Sequence, residues 1–457
     1  MRFLIALALL CSMACSNTDQ QENTEYIIDF KDNTTSQQIL ELEQVAHVSL
    51  DKNSLLFPKT KITHAFLNQD AIDVIEDSDL IENFEPVQYY KVIEDQEYHS
   101  FIFDVVDCPY SEDDDQSCKP NDPLYREGKQ WNMTMIGIEK AWKLSKGENV
   151  TVAVLDTGIS TGAGKYPRVP DLANTCMKEG YSFVDDNSDA YDWHGHGTHV
   201  GGTIAQSTNN GIGVVGIAYK ACLLPVKVLD DNGSGRTDDI AEAIIWATDN
   251  GAQVINMSLG GGGYSKVMAD ALKYAQSNNV FVACAAGNSG RPIIEYPAAM
   301  DGCSAISSVG KAGELAYYSS HGTNGSGLFI AAPGGDKKRD GEAGGVWQDT
   351  IVEGQPTKHG YFPFQGTSMA TPHVAGVAAL VISELGPQYK LSEVESILKE
   401  SSTPKNDKAK YGAGILNADK AVEIAKEGRN SNTDTMLYIL SALLSVVGVL
   451  VASKLKG

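Results

Sequence analysis

The chain has 457 residues, enough for one large domain and smaller additions. Its formal net charge is −23, which argues against nucleic acid as a partner. Acidic side chains are concentrated in residues 1–119, which hold 7 Lys and Arg against 24 Asp and Glu. This imbalance predicts a separate N-terminal unit.

Residues 1–15 have the pattern of an export signal, because the charged start Met1–Phe3 is followed by the apolar run Leu4–Leu10. This run is too short to span a membrane by itself. Residues 12–15, Ser-Met-Ala-Cys, resemble the cleavage box of bacterial lipoproteins, with Cys15 as the lipidated residue. Ser12 departs from that pattern, which usually has leucine, so ordinary signal cleavage is the alternative. Either outcome implies export, and the lipid would make the chain a membrane-attached protein of the bacterial cell envelope, periplasmic or surface-exposed.

Residues 24–92 alternate between strand and helix patterns and predict a small α+β domain. The strands are Tyr26–Phe30 and Leu80–Val87, and the helices are Gln37–Val45 and Ala71–Ile75.

Residues 93–119 form a predicted acidic linker, with the charge run Glu112–Asp115 between Cys108 and Cys118. Such a run is most often solvated chain, although a loop that holds or repels substrates is the alternative.

In residues 120–428, uninterrupted apolar strands alternate with helices, as in a parallel sheet that is covered on both faces. The predicted strands are Val150–Leu155, Leu223–Val228, Val254–Met257, Val280–Ala283 and Ala305–Val309. The predicted helices are Ile138–Leu144, Thr237–Thr248, Tyr264–Ser277 and Asn417–Lys426. This pattern predicts an α/β fold with an open, mostly parallel sheet, helices on both faces, and ligands at the carboxyl ends of its strands.

Three separated blocks carry the side chains of a nucleophilic hydrolase. Asp156 ends a predicted strand, His196 lies in His-Gly-His-Gly-Thr-His, and Ser368 lies in Gly-Thr-Ser-Met-Ala at the start of a buried helix. A serine hydroxyl needs a base and a group that orients the base, and helix N-terminal N–H groups favour an oxyanion. In the order Asp, His, Ser, the blocks resemble those of subtilisin-like serine proteases, over about residues 122–426.

The resemblance implies a subtilisin-like sheet and a serine endopeptidase in which Asp156 orients His196 and His196 activates Ser368. Asn288, in Ala-Ala-Gly-Asn, matches the oxyanion-hole residue of the family. By position, residues 24–92 resemble the inhibitory propeptide of secreted family members.

The resemblance also implies a substrate-binding set, which contains Gly287 and the edge segment Ser258, Leu259 and Gly260. Such an edge pairs with substrate backbone as an added strand. Glu295 falls where the family places the floor of the primary specificity pocket, and a carboxylate there would favour Lys or Arg. A surface glutamate that points outward is the alternative.

His194, His196 and His199 also have the spacing of a zinc site, similar to the His-x-His-x-Asp-His run of metallo-β-lactamase-type hydrolases. Thr198 replaces the aspartate of that run, and catalytic zinc needs further ligands. The subtilase block therefore remains the favoured interpretation, with His196 as the base and His199 structural.

The segment Thr208–Val214 resembles the calcium loop of the family, although Asn-Asn-Gly alone is normally a turn. The resemblance implies a stabilising Ca²⁺ held by side chains and carbonyls of six residues. The side chains are those of Asp122, Asp171 and Asn210, and the carbonyls are those of Thr208, Ile212 and Val214.

Six cysteines remain when Cys11 and Cys15 are set aside, and sequence order alone leaves their pairing open. The sheet that the resemblance implies favours three bonds, with buried free thiols as the alternative for the last two. The pairs are Cys108–Cys118, Cys176–Cys222 and Cys284–Cys303.

A polar spacer, 429–435, leads to the uncharged apolar run 436–452 and the basic tail 453–457. The run is at the low end of the ~17–25 residues that cross a bilayer, and a following basic tail is typical of a cytoplasmic end. We predict a transmembrane helix, with a processed sorting tail or an oligomerising helix as alternatives.

The favoured hypothesis is a secreted, membrane-attached serine endopeptidase that is made as a zymogen. Its partners would be peptide or protein substrates, its own propeptide and the membrane. A catalytically silent adhesin or binding module is the alternative, and the complete set of catalytic residues counts against it. A lipase or esterase would require Gly-x-Ser-x-Gly, which this chain lacks at Ser368.

Overall fold

The structure is a computed structural model, and it describes residues 24–52, 57–93, 119–162 and 166–429. These residues fall into two compact units, one within Met1–Val87 and one within Gln88–Gly457. The predictions made for Cys15, for the Cys108–Cys118 bond and for the 436–452 helix lie outside the described residues.

The N-terminal unit is a three-stranded antiparallel sheet with helices packed against it. Its strands are β1 (Thr24–Phe30), β2 (Ile62–Leu67) and β3 (Ile81–Pro86), in the order β2-β1-β3. Its helices are Ser36–Ala46, Phe57–Thr60 and Gln69–Glu76. The side chains of Thr35 and Gln38 form a capping box that begins the first helix.

The second unit is built on an eight-stranded sheet whose pairings are all parallel. The strands are β5 (Thr151–Asp156), β6 (Cys176–Met177), β7 (Tyr181–Ser182), β8 (Cys222–Lys227), β10 (Val254–Met257), β12 (Phe281–Ala285), β13 (Ser304–Val309) and β14 (Phe329–Pro333). Their order in the sheet is β14-β13-β12-β10-β5-β8-β6, and β7 also pairs with β8. Side chains of the central strands are buried on both faces, which explains their uninterrupted apolar sequences.

Helices of 4 to 19 residues surround this sheet. The buried helix that contains Ser368 packs across five of its strands. The helices are Pro123–Arg126, Trp131–Met135, Ile138–Ala141, His196–Ala205, Thr237–Asp249, Lys266–Ser277, Lys337–Asp340, Thr367–Leu385, Leu391–Ser401, Lys408–Tyr411 and 418–429, with 3₁₀ turns at Pro170–Leu172 and Gly341–Gly344. The predicted α/β sheet is therefore confirmed.

Two predicted helices are shorter than their sequence patterns indicate. The helix predicted from Tyr264 begins at Lys266, because the Ser265 hydroxyl accepts a hydrogen bond from the Met268 N–H and caps it. The helix predicted to reach Leu144 ends at Ala141 and continues as a turn.

Two smaller sheets complete the unit. The strands β9 (Ser234–Arg236), β4 (Tyr89–Val92) and β11 (Leu259–Gly260) form an antiparallel sheet with β4 in the middle. A hairpin joins β15 (Val346–Val352) to β16 (Gln355–Phe364).

Disulfide bonds join Cys176 to Cys222 and Cys284 to Cys303, which are two of the predicted pairs. In the described part of the chain, one helix is long and apolar enough to cross a membrane. This helix is Thr367–Leu385, and 83% of its apolar window is buried inside the protein, so packing accounts for its composition.

Candidate active site

Asp156 and His196 meet at the carboxyl end of the central strand β5. His196 begins the His196–Ala205 helix, and its Nδ1 lies 2.6 Å from Asp156 Oδ1. Both side chains are fully buried, and Asp156 Oδ1 also accepts a 2.7 Å hydrogen bond from the Thr157 N–H. A carboxylate in this position holds the imidazole with its proton on Nδ1.

Asp192 holds the segment that carries His196, a role that the sequence analysis missed. Its Oδ1 accepts hydrogen bonds from the His194 and Gly195 N–H groups at 2.9 Å, and its Oδ2 accepts from the Thr198 N–H and hydroxyl at 2.9 and 2.6 Å. The Thr157 hydroxyl, next to Asp156, also donates to Asp192 at 2.9 Å. An aspartate four residues before His196 was the available signal, since carboxylates favour helix N-termini.

Ser368 lies in the first turn of the Thr367–Leu385 helix and is fully buried. Its Oγ lies 2.8 Å from the carbonyl oxygen of Ile93 and 3.0 Å from that of Ser258. Asn288 Nδ2 donates to the same Ile93 oxygen at 2.5 Å. A hydroxyl and an amide donor thus converge on one peptide carbonyl, as a serine nucleophile and an oxyanion donor would.

Thr367 fixes the amide of Asn288, and this role was also absent from the sequence analysis. Asn288 Oδ1 accepts hydrogen bonds from the Thr367 N–H at 2.9 Å and from its hydroxyl at 2.8 Å. With the oxygen held on one side, the Nδ2 donors of Asn288 are directed towards Ile93. The position of Thr367, directly before the serine, was the available signal.

The strand β4 lies in the cleft as an extended peptide. On one side Val92 and Lys91 pair with the predicted edge residues Leu259 and Gly260. On the other side β4 pairs with β9, and the Val92 N–H donates to the Gly233 carbonyl at 2.8 Å. This antiparallel pairing is made by main-chain hydrogen bonds, as expected for an added strand.

The Glu295 carboxylate lies next to Gly287 and Ser289, the two neighbours of Asn288 in the chain. Its Oε1 accepts hydrogen bonds from the Ser320 hydroxyl at 2.7 Å and from the Ser289 N–H at 3.3 Å. A Cβ added to Gly287, which has a φ of +108°, would lie 2.2 Å from Glu295 Cδ. Glycine at this position therefore leaves room for the carboxylate beside the cleft.

His199 packs against the β15–β16 hairpin. Its Nε2 lies 3.0 and 3.1 Å from the carbonyl oxygens of Val346 and Phe362, and its ring stacks on Phe364 at 4.3 Å. Burial lowers the pKa of His199 to about 3, so the ring is neutral at physiological pH. Burial also lowers the pKa of His194.

The predicted calcium ligands gather at one end of the unit. Asn210 Nδ2 donates to Asp171 Oδ1 at 2.8 Å, and the Val214 N–H donates to Asp171 Oδ2 at 2.9 Å. Asp122 Oδ2 accepts from the Asn209 N–H at 2.8 Å. Burial raises the pKa of Asp122 to about 6 and that of Asp171 well above its usual range.

Within the described residues, no group of three or more His, Cys, Asp or Glu side chains is placed to hold a metal ion. A calcium site would therefore depend on amide and carbonyl oxygens as well, including those predicted for Thr208 and Ile212.

Comparison with known proteins assigns these blocks to a family. The family model described as the subtilase family matches residues 147–414. The chain is 37% identical over 294 residues to a thermostable alkaline protease of Halalkalibacterium halodurans, over 64% of this chain and 73% of that protein. It is 36% identical over 305 residues to thermitase of Thermoactinomyces vulgaris, over 66% of this chain and 99% of that protein.

Among solved structures, the chain is similar to fervidolysin of Fervidobacterium pennivorans, described as a keratinolytic enzyme related to subtilisin. The TM-score is 0.69 at 26% identity, over 88% of this chain and 61% of that one. This coverage is more of the chain than the Gln88–Gly457 unit alone contains, so the likeness extends into the N-terminal unit.

Proposed function

Because the chain belongs to the subtilase family of serine endopeptidases, we propose that it is made as a zymogen that cuts its own chain between Ile93 and Glu94. One observation carries this proposal: the carbonyl oxygen of Ile93 lies 2.8 Å from Ser368 Oγ and 2.5 Å from Asn288 Nδ2. Residues 88–93 occupy the cleft as a substrate would, and Ile93 is the residue whose carbonyl meets the nucleophile.

In the proposed reaction, Ser368 Oγ attacks the carbonyl carbon of Ile93 while His196 removes the hydroxyl proton. Asp156 holds the imidazole and stabilises its positive charge. The Ile93 oxygen becomes an anion, which Asn288 Nδ2 stabilises by a hydrogen bond that strengthens as the charge develops. His196 then gives its proton to the Glu94 nitrogen as the bond between the Ile93 carbonyl carbon and that nitrogen breaks. Water, whose proton His196 takes, then hydrolyses the Ile93–Ser368 ester and returns the proton to Ser368.

After the cut, the strand β4 would remain paired with β9 and β11 and would block the cleft. Residues 24–92 would then act as the inhibitory propeptide, and the proposed bond lies at the start of the predicted linker 93–119.

We also propose that the enzyme is exported and that it remains at the membrane through residues 436–452. The bonds Cys176–Cys222 and Cys284–Cys303 support export, because disulfides persist in oxidising compartments. A lipid on Cys15 would leave with the N-terminal piece when the chain is cut at Ile93. Deletion of Thr435–Gly457 should then release active enzyme, whereas Cys15→Ala should change precursor sorting more than retention of the mature enzyme.

For calcium, the fit rests on buried anionic oxygens. Asp122 Oδ1 is buried and makes no hydrogen bond to the described residues, and Asp171 lies in the same cluster. Buried carboxylates are costly unless a cation compensates them. Asp122, Asp171 and Asn210 would hold a Ca²⁺ ion that ties the Thr208–Val214 loop to the domain, and its role would be stability.

The test of the zymogen proposal is the fate of the full-length chain on expression. The wild-type chain should yield an N-terminal fragment whose mass places its last residue at Ile93, and Ser368→Ala should remain uncut. Ser396→Ala, at an exposed position of the Leu391–Ser401 helix, serves as the matched control and should be processed normally. Processing of Ser368→Ala, or a first cut elsewhere in the wild type, would contradict the proposal. Labelling of the wild type by a serine-directed phosphonate separates an enzyme from a silent binding module.

A further inference from the structure

The residues that precede Ile93 alternate between the cleft and solvent. Tyr90 is fully buried and Gln88 is half-buried, whereas Tyr89 is 53% exposed and Lys91 is exposed. This period of two is that of an extended strand with one face on the protein. Side chains four and six residues before the proposed cleaved bond are therefore available for recognition.

Gln88, the sixth residue before that bond, is held at both ends of its carboxamide. Its Oε1 accepts a 2.5 Å hydrogen bond from the Gly263 N–H, and its Nε2 donates at 3.0 Å to the Tyr264 carbonyl. The main-chain carbonyl of Gln88 is bound from the opposite side of the cleft. There the Thr237 N–H and hydroxyl donate to the Gln88 carbonyl at 3.0 and 2.8 Å.

Tyr90, the fourth residue before the bond, uses the same loop. Its hydroxyl donates to the Gly263 carbonyl at 2.9 Å. A Cβ added to Gly262 would lie 2.5 Å from the ring at Tyr90 Cζ, so glycine at 262 makes room for an aromatic side chain. Gly263 thus contacts Gln88 through its N–H and Tyr90 through its carbonyl.

We propose that the loop Gly262–Tyr264 is a specificity site that selects a carboxamide six residues before the cleaved bond, next to the aromatic residue four residues before it. This inference rests on the proposed endopeptidase function and names its substrate class: extended segments that contain Gln-x-Tyr-x-x before the cleaved residue. The planar carboxamide of Asn and Gln presents a donor and an acceptor side by side, and Asn is one methylene shorter. Glutamate would lose the donor to Tyr264 and place a charge beside its carbonyl oxygen.

The substrate test uses mature enzyme produced from the full-length chain and quenched peptides that span residues 86–97. Replacement of Gln88→Leu in the peptide should lower kcat/KM about tenfold, because two hydrogen bonds are lost, and Gln88→Glu should lower it further. Tyr90→Phe should also lower kcat/KM, since only the hydroxyl bond to Gly263 is removed. Tyr89→Ser is the matched control and should leave the rate unchanged, because that side chain faces solvent.

Equal kcat/KM for the parent peptide and the Gln88→Leu peptide would overturn the inference while the endopeptidase assignment stands. A failure to cleave any of the peptides would instead refute the proposed function. On the enzyme side, Gly263→Ala places a Cβ 2.7 Å from Gln88 Oε1, so the preference for Gln over Leu at this position should fall towards one. A preference that survives this change would show that another site recognises the carboxamide.

Discussion

The Ser258 hydroxyl donates a 2.8 Å hydrogen bond to the carbonyl oxygen of Ser368. In an α-helix that carbonyl would accept from the N–H four residues later, but the residue there is Pro372, which has none. Asn256 Nδ2 donates to the Ser258 oxygen at 2.9 Å, which leaves the hydroxyl proton for Ser368. Ser258, predicted as part of the substrate-binding edge, therefore supports the backbone of the nucleophile with its side chain.

Removal of this hydroxyl should destabilise the fold. In the inactive Ser368→Ala background, which keeps the carbonyl, Ser258→Ala should cost about 1–3 kcal/mol in the free energy of unfolding, because a buried acceptor loses its partner. In a chain that also carries Pro372→Ala, the restored N–H can bond the same carbonyl, and the cost of Ser258→Ala should be smaller. Denaturant unfolding measures all four chains, and an equal cost in both backgrounds would contradict this account.

Thr367 should act through Asn288. Thr367→Val removes the hydroxyl that holds Asn288 Oδ1, so we expect kcat to fall about tenfold with little change in KM. Thr367→Ser keeps the hydroxyl and should retain most of the activity. Asn288→Ala should cost about 10²–10³ in kcat, as the loss of an oxyanion donor does in a related protease. If Thr367→Val lowers kcat as strongly in the Asn288→Ala background, the two residues are not coupled in this way.

Glu295 should set a preference for basic side chains at the cleaved residue. Because its carboxylate lies beside the cleft, Glu295→Gln should lower cleavage after Lys and Arg relative to Leu and Phe by roughly tenfold to a hundredfold. Peptides that differ only at the cleaved residue give the ratio, and Glu400→Gln, on the Leu391–Ser401 helix, is the control. An unchanged Lys-to-Leu ratio would remove Glu295 from the specificity pocket.

Removal of calcium should shorten the lifetime of the folded enzyme before it lowers the rate of turnover. A ligand that binds only the native state stabilises it by about 2.7 kcal/mol at 100 times its dissociation constant. A chelator should therefore leave the initial rate intact and shorten the half-life of the wild type, with much less effect on Asp171→Asn. Immediate loss of turnover by enzyme that remains folded would indicate a catalytic metal instead.

His373 should make the fold sensitive to acid. Burial lowers the pKa of His373 from 6.5 to about 4. The unfolded chain therefore binds a proton on this ring below about pH 6.5, whereas the folded chain binds it only below about pH 4. The contribution of His373 to the free energy of unfolding is thus fully present at neutral pH. It falls as the pH is lowered across that window, by about 1.4 kcal/mol per pH unit. In the Ser368→Ala background, His373→Gln should show a shallower decline of the unfolding free energy between pH 6 and pH 4.5. The exposed residue His47 provides the control variant, and a decline as steep as in the parent would contradict the assignment.

Elements that are buried on both faces could be predicted closely from sequence. The strand Val254–Met257 has the predicted bounds, and Val150–Leu155 is displaced by one residue, because each apolar run is itself the consequence of burial. By contrast, β9, β11 and the β15–β16 hairpin had no such signal. These strands are short or lie at edges. A partner distant in the chain, β4, supplies the hydrogen bonds of β9 and β11, whereas β15 and β16 pair with each other.

The sequence by itself determined the chemistry, since the blocks around Asp156, His196 and Ser368 are local and each carries its own turn or helix start. Only the tertiary structure decided what surrounds them. Asp192 and Thr367 gain their roles through hydrogen bonds to side chains from other segments, and Glu295 lies beside the cleft because Gly287 leaves room for it. Above all, the segment Gln88–Ile93 has no motif of its own. It becomes a substrate-like strand only because β9 and β11, more than 130 residues away in sequence, provide an edge on each side of it.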